Sequence, residues 1–262
     1  MSAMKKSLFH TVFLLIVSLS FISAGFAYIP SAEQMLEPFL KAYLGVHTVK
    51  IEMETTIHDG PDKKTEIREQ LLIQEGSKFR AERVFPQGNN ILMQDGRRTV
   101  TLGVETPHSG ARRIDTVFPT IFFHKSVADL LNTLNFLGVD THAVGIDRID
   151  RKVAFVVGKG LDQAPGSRLW IERERGFPLR FVGVGISGGK TVVLRAEYLD
   201  YSQTGKDLWF PGTIEYYIND ALSAISISRD ISVNQKLSET LFKMPEDGVD
   251  ISPVANFLNI KE

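Results

Sequence analysis

The order of apolar and polar positions divides the chain into two helices and a long succession of strands. Ala32, Met35, Leu36, Phe39, Leu40 and Tyr43 recur at helical spacing and form one apolar stripe. Ser31 can cap that helix, Gln34 completes a capping box, and Gly45 is a suitable stop. The spacing predicts a helix over 32–44. Pro38 lies inside it, where a proline removes a hydrogen bond and crowds the preceding turn, so a kink or a later start near Glu37 is expected. The pattern then changes to strict alternation. Val49, Ile51, Met53, Thr55 and Ile57 fall on one face of a half-buried strand, and Lys50, Glu52, Glu54 and Thr56 on the other.

A turn at Asp59-Gly60-Pro61-Asp62 leads to a returning strand marked by Thr65, Ile67, Leu71 and Ile73. Gly76 turns the chain into a strand over 79–85, and Asp95-Gly96 joins 91–93 to 100–104 as a hairpin. The middle is different. An apolar and aromatic run covers 117–123, and Ser126 then caps a second helix over 127–137 with Val127, Leu130, Leu131, Leu134 and Leu137 on one stripe. Beyond Gly138 the pattern predicts strands over 143–149, 152–157, 168–172, 179–186, 191–201, 212–218 and 224–233, separated by short turn signals such as Asp150-Arg151, Ala164-Pro165-Gly166 and Asn219-Asp220. Consecutive strands with short turns form antiparallel meanders rather than βαβ units. The predicted fold is mainly β, of α+β type: one strongly curved antiparallel sheet with both helices against its concave face.

The N-terminus carries a different signal. Lys5 and Lys6 precede an apolar run from Leu8 to Ile22, and Gly25-Phe26-Ala27 places small residues where a signal peptidase reads. This layout predicts a secretory signal over 1–27, cleaved after Ala27, and a single domain over 28–262. The apolar run is shorter than the ~20 residues that span a bilayer. The chain contains no Cys, so neither a disulfide nor lipid attachment at an N-terminal cysteine is available, and the mature chain is expected to be soluble. Without Lys5 and Lys6 the 30 basic residues become 28 against 31 acidic, a net charge of −3. That balance gives no basic face for nucleic acid and no polybasic membrane patch.

Sequence motifs for enzyme chemistry are weak. Gly183-Val184-Gly185-Ile186-Ser187-Gly188 matches a dinucleotide fingerprint, but the following Thr191-Val192-Val193-Leu194 is strand-like, whereas a phosphate site needs a helix there. Gly189-Lys190-Thr191 lacks the first glycine of a P-loop. His47, His58, His108, His124 and His142 have no ligand spacing, so no metal is expected. No hydrolytic signature is present, and the acidic residues mostly alternate with apolar ones, as on a solvated strand face. The chain is therefore expected to have no catalytic role and no cofactor. Trp170, Phe177, Phe181, Tyr198, Tyr201, Trp209, Phe210, Tyr216 and Tyr217 crowd the second half, as either a packed core or the wall of an apolar cavity.

Phe79-Arg80-Ala81-Glu82 followed by Pro86 and Asp95-Gly96 resembles the early sheet of the periplasmic lipoprotein carriers, the LolA-like, lipoprotein-sorting family. The stretch 205–211 before a strand, then Asn234, Leu237, Phe242, Pro245, Gly248, Val249 and Asp250, resembles their C-terminal end. The likeness runs over most of 31–251. It departs from the family pattern at Pro38 and after the Asp-Gly turn, where Arg97-Arg98-Thr99-Val100 stands in place of an aromatic. The resemblance implies an unclosed barrel with helices as a lid over an apolar face, a monomer, and a periplasmic carrier of lipoprotein acyl chains or another lipid moving toward the outer membrane. Partner proteins in the inner and outer membranes would load and unload it. A second reading is an envelope sensor or adaptor on the same scaffold that binds a membrane protein. The residues expected to line the cavity and lid are Met35, Phe39, Phe79, Leu130, Leu134, Leu137, Trp170 and Phe181, and the resemblance makes Arg80 a hydrogen-bonding latch for the lid.

Overall fold

The computed structural model describes residues 29–58, 60, 62–74, 78–95, 98–104, 121–159, 166–187, 189–204, 208–246, 249–250 and 259–260. The segment 1–27, Gly76, the Gly96 turn with Arg97, 117–120, Ala164 and Pro165, Gly188, 205–207 and Gly248 lie outside the described residues.

Helix α1 spans Ala32–Tyr43, and helix α2 spans Val127–Phe136. Both begin where their caps place them. The Ser31 hydroxyl accepts the Gln34 backbone N–H, and the Gln34 side chain accepts the Ser31 N–H in return. Ser126 accepts from the Asp129 N–H in the same way. Pro38 lies inside α1 without splitting it, so the helix starts at Ala32 and not near Glu37. Gly176, in the left-handed region at φ +73°, lies against this turn. A Cβ there would lie 3.2 Å from Pro38 Cβ and 3.1 Å from the Phe39 nitrogen, so only glycine lets the chain close directly on the proline turn of α1.

The strands are β1 (Thr48–His58), β2 (Lys64–Gln74), β3 (Lys78–Phe85), β4 (Gly88–Asp95), β5 (Arg98–Gly103), β6 (Val144–Ile149), β7 (Lys152–Val157) and β8 (Arg168–Glu172). They continue as β9 (Pro178–Ser187), β10 (Lys190–Leu199), β11 (Ser202–Thr204), β12 (Leu208–Phe210), β13 (Thr213–Ile218), β14 (Ala221–Val233), β15 (Val249–Asp250) and β16 (Asn259–Ile260). Among the described residues fourteen of them form one sheet, in the order β15-β5-β4-β3-β2-β1-β14-β13-β10-β9-β8-β7-β6, with β16 parallel to β9 and β11-β12 as a separate pair. The strands on this path pair antiparallel, and β15 and β6 do not meet, so the barrel stays unclosed. Gly183 and Gly185 fall on β9, and Ser187 lies opposite Lys190 of β10, as the strand-like residues after them predict.

Alternation along the strands divides the sheet into two faces. The inner face carries Val49, Ile51, Leu71, Ile73, Phe79, Ala81 and Leu92 on one side, and Leu169, Ile171, Phe181, Leu194, Ala196, Tyr198, Ile214 and Tyr216 on the other. Both helices bury their stripes against it, α1 through Met35, Leu36, Phe39 and Tyr43, and α2 through Leu130 and Leu134. The outer face holds a smaller cluster of Ile149, Ala154, Val156, Trp170 and Leu179.

After β14 the chain crosses the outer face as a strap. Asn234 starts it, accepting the His47 N–H at 2.8 Å and donating to the Gly45 carbonyl at 2.9 Å. A 3₁₀ turn at Glu239–Phe242 follows, buries Phe242 and leads to β15 on the edge of β5. Glu239 accepts from Gln74 at 2.7 Å and from Lys78 at 3.0 Å. Those two hydrogen bonds, Gln74 first, hold its carboxyl below the usual carboxylate range. Because the folded pKa is depressed, this anchor is intact above the ordinary glutamate pKa and is lost as pH falls through the lowered one. An NMR titration is expected to place the Glu239 midpoint below that of an ordinary glutamate, and Gln74→Ala to move it back up. An unchanged midpoint in the variant would show that these contacts do not hold the strap.

Candidate functional site

The candidate site is the inner face beneath the two helices. Its centre is aromatic. Phe39 packs edge-on to Phe122 at 5.4 Å, Phe122 to Tyr198 at 5.3 Å, and Tyr43 to Phe210 at 5.5 Å. Edge-to-face contacts of this kind add about 0.5–1.5 kcal/mol each beyond burial. The Tyr43 hydroxyl donates to the Trp209 carbonyl, which ties the end of α1 to β12. Burial pushes the phenols of Tyr43, Tyr198 and Tyr201 well above their usual range, so all three stay neutral.

Seven of the eight residues expected to line the face converge on it. Met35, Phe39, Phe79, Leu130, Leu134, Leu137 and Phe181 belong to one continuous cluster, each almost completely buried. Trp170 does not. It sits in the outer cluster, with Arg168 and Arg180 over its ring at 5.6 and 5.7 Å and its indole N–H donated to Asp147 at 3.0 Å. Its neighbours Leu169 and Ile171 take the inner positions, because successive strand residues point to opposite faces. Arg80 also lies away from the helices, since Phe79 and Ala81 on either side of it point inward. Among the described residues its hydrogen bonds go to Glu82 at 2.7 Å, to the Met93 sulfur at 3.4 Å and to the Leu241 carbonyl at 3.1 Å. It is a latch for the C-terminal strap, not for the lid.

Two features of the face were not expected from the sequence. Arg83 donates to Glu69 at 2.8 Å, and both side chains are buried, at 3% and 6% exposure. Asn90 is buried beside Arg83 in the β3-β4 register. Both charges belong to the inner row with Met53, Ala81 and Leu71, so the acidic and basic residues of these strands are not all on the solvated face. The second feature is a cleft of about 130 Å³ at the mouth of the face, between the end of α1, the start of β1 and residues 123–125. Its walls include Tyr43, Val46 and Phe123, and its rim carries His47, His124 and Lys125. The volume is below the roughly 300 Å³ at which pockets for drug-sized ligands begin. Beneath the helices the inner face is packed with side chains, and this cleft opens at its mouth. No group of three or more His, Cys, Asp or Glu that could hold a metal occurs among the described residues. No helix there is long and apolar enough to cross a membrane.

No protein-family model matches the chain, and no curated relative matches it. Solved structures do. A LolA superfamily protein from Nitrosomonas europaea superposes with a TM-score of 0.52 at 14% identity, over 82% of this chain and 99% of that one. A structure described as an outer membrane lipoprotein-sorting protein domain, from Vibrio parahaemolyticus, gives 0.50 at 14% identity, over 81% and 97%. A DUF1329 family protein from Desulfovibrio piger gives 0.51 at 10% identity, over 82% and 98%. The chain therefore has the fold of the LolA superfamily and the lipoprotein-sorting domains, an unclosed antiparallel barrel with its helices packed on the inner face.

Proposed function

We propose that the protein is an exported, non-enzymatic carrier that holds the acyl chain of a lipoprotein or another lipid against its inner face beneath α1 and α2. The observation that carries this reading is the pair of apolar stripes. Both helices bury theirs on a continuous apolar face that the sheet, being unclosed, can present to a ligand once they lift. The energies match. Lifting α1 alone uncovers Met35, Leu36, Phe39 and Tyr43, at about 1.5–3 kcal/mol each, on the order of 10 kcal/mol together. An acyl chain of about 12–16 methylenes, at ~0.8 kcal/mol each, returns the same amount. The lid therefore opens by exchange: the chain takes over the surface that the helices release, and the empty protein stays closed.

The test is binding of a fluorescent fatty-acyl probe to protein stripped of lipid, with native mass spectrometry of protein purified from its own cell envelope. One probe per chain and co-purifying acyl lipid are expected. A protein that takes up no probe and yields no lipid would remove the carrier reading and favour a sensor that binds a membrane protein. Sequencing of the mature N-terminus is expected to begin at Tyr28.

A further inference from the structure

The cleft at the mouth of the inner face differs from the rest of that face in its chemistry. Its floor is apolar, with Tyr43, Val46 and Phe123 among its walls. Tyr43 and Phe123 are also members of the aromatic core, at 6.2 Å from each other and at 5.5 and 6.1 Å from Phe210. A chain passing this point is therefore already in contact with the covered face. Leu44, 55% exposed, forms an apolar lip beside it.

The rim is basic. His47, His124 and Lys125 line it, and no carboxylate does among the described lining residues. Lys125 is exposed and has no ion pair among the described residues. The nearest acid named on these elements, Asp129, accepts from His124 Nδ1 at 3.0 Å and points to the imidazole, not to the lysine. Glu239 on the strap is held by Gln74 and Lys78. The segments that bring the rim together are fixed: Asn234 clamps 45–47 through two hydrogen bonds, and the Ser126 cap sets Lys125 at the start of α2. A chain with a neutral head would gain nothing from this rim. One ending in a negative charge would meet a lysine ammonium and two imidazoles at the edge of a low-dielectric surface, where such contacts are stronger than in open water.

We propose that this cleft is the port through which ligands load, and that it selects single-chain amphiphiles with an anionic head, a carboxylate or a phosphate. The head stays between His47 and Lys125 while the apolar tail slides past Tyr43 under α1. This rests on the carrier reading above and narrows it to a ligand class. The small volume is consistent with it, since the cleft accommodates a head group and leaves the tail to displace the lid.

The experiment compares laurate with glycerol monolaurate, which has the same tail and no charge, by calorimetry on the full-length mature protein below the micelle threshold of each. In low salt, about 20 mM, laurate is expected to bind about tenfold tighter than monolaurate, and about 500 mM salt to remove most of that difference. Lys125→Gln together with His47→Gln, both exposed positions, is expected to cut the preference to about twofold and leave monolaurate binding unchanged. Lys190→Gln, an exposed cation at the start of β10, should leave the preference intact. Equal binding of the two ligands by wild type overturns the port and leaves the carrier standing. Binding of neither overturns both. Inorganic phosphate binding as tightly as laurate would show a free-anion site and overturn the amphiphile proposal. A salt-insensitive preference would assign it to the size or hydrogen bonding of the heads and not to their charge, with the same result.

Discussion

Arg83→Met is expected to destabilise the protein by about 3–5 kcal/mol, the usual cost of removing one partner from a buried ion pair. Glu69 is the reason. Its carboxylate is 6% exposed on the inner row, and the Arg83 guanidinium is the cation that the structure places against it, at 2.8 Å. Methionine keeps most of the volume of arginine, so the loss is electrostatic rather than a cavity. The matched control is Glu69→Leu with Arg83→Met, which removes both charges. That double variant is expected to recover most of the loss, because apolar pairs of similar volume replace buried ion pairs at little net cost. Urea denaturation of all three chains gives the comparison. A single variant within about 1 kcal/mol of wild type would mean that water reaches Glu69.

Phe39→Ala is expected to cost a further large amount, about 3–5 kcal/mol, as a deeply buried aromatic cut to a methyl. Phe39 is fully buried and touches both Tyr43, at 5.1 Å, and Phe122, at 5.4 Å. It is also the α1 residue next to Gly176, where the β8-β9 turn closes on the helix. Its truncation therefore loosens the lid at the point where the sheet grips it. Two readouts follow: a lower melting temperature, and faster uptake of a fluorescent acyl probe at a temperature where the variant remains folded. A variant that loses stability but loads at the wild-type rate would show that α1 does not have to move. Leu134→Glu is less informative about binding, since a charge at a fully buried position acts on folding first.

Much of this architecture was legible in the residues. The Ser31 and Ser126 caps located both helix starts, and strict alternation located β1. The strand β7 and the strand β8 fall where the apolar runs and turn signals put them. The errors have physical causes. Strand β8 is buried on both faces, from Leu169 to Glu172, so alternation cannot say which face Trp170 takes. For Arg80 the face could be read from Phe79 and Ala81, but its partner Leu241 lies on a strap with no periodicity to announce it. Glu69 and Arg83 carried a usable signal. Each shares parity with apolar inner residues, Glu69 with Ile67 and Leu71, Arg83 with Ala81 and Phe85. A charge in an apolar row points to a buried partner on the next strand. His47 and His124 show no ligand spacing in the sequence because only the packing of α1 against the segment before α2 brings them, with Lys125, to one rim.

The pairing of β1 has a consequence for how the chain is made. Val49 lies beside Ile73 on one side and Val233 on the other, so the first strand of the sheet needs the last long strand as its neighbour. Closing that contact means ordering almost the whole chain first, and folds dominated by such distant pairings form slowly. Until Ala221–Val233 leaves the ribosome, β1 is an open edge with Val49, Ile51 and Met53 uncovered. A nascent chain in that condition is a client for chaperones and an open target for proteases, and it keeps the unfolded form that the export proposed above would require.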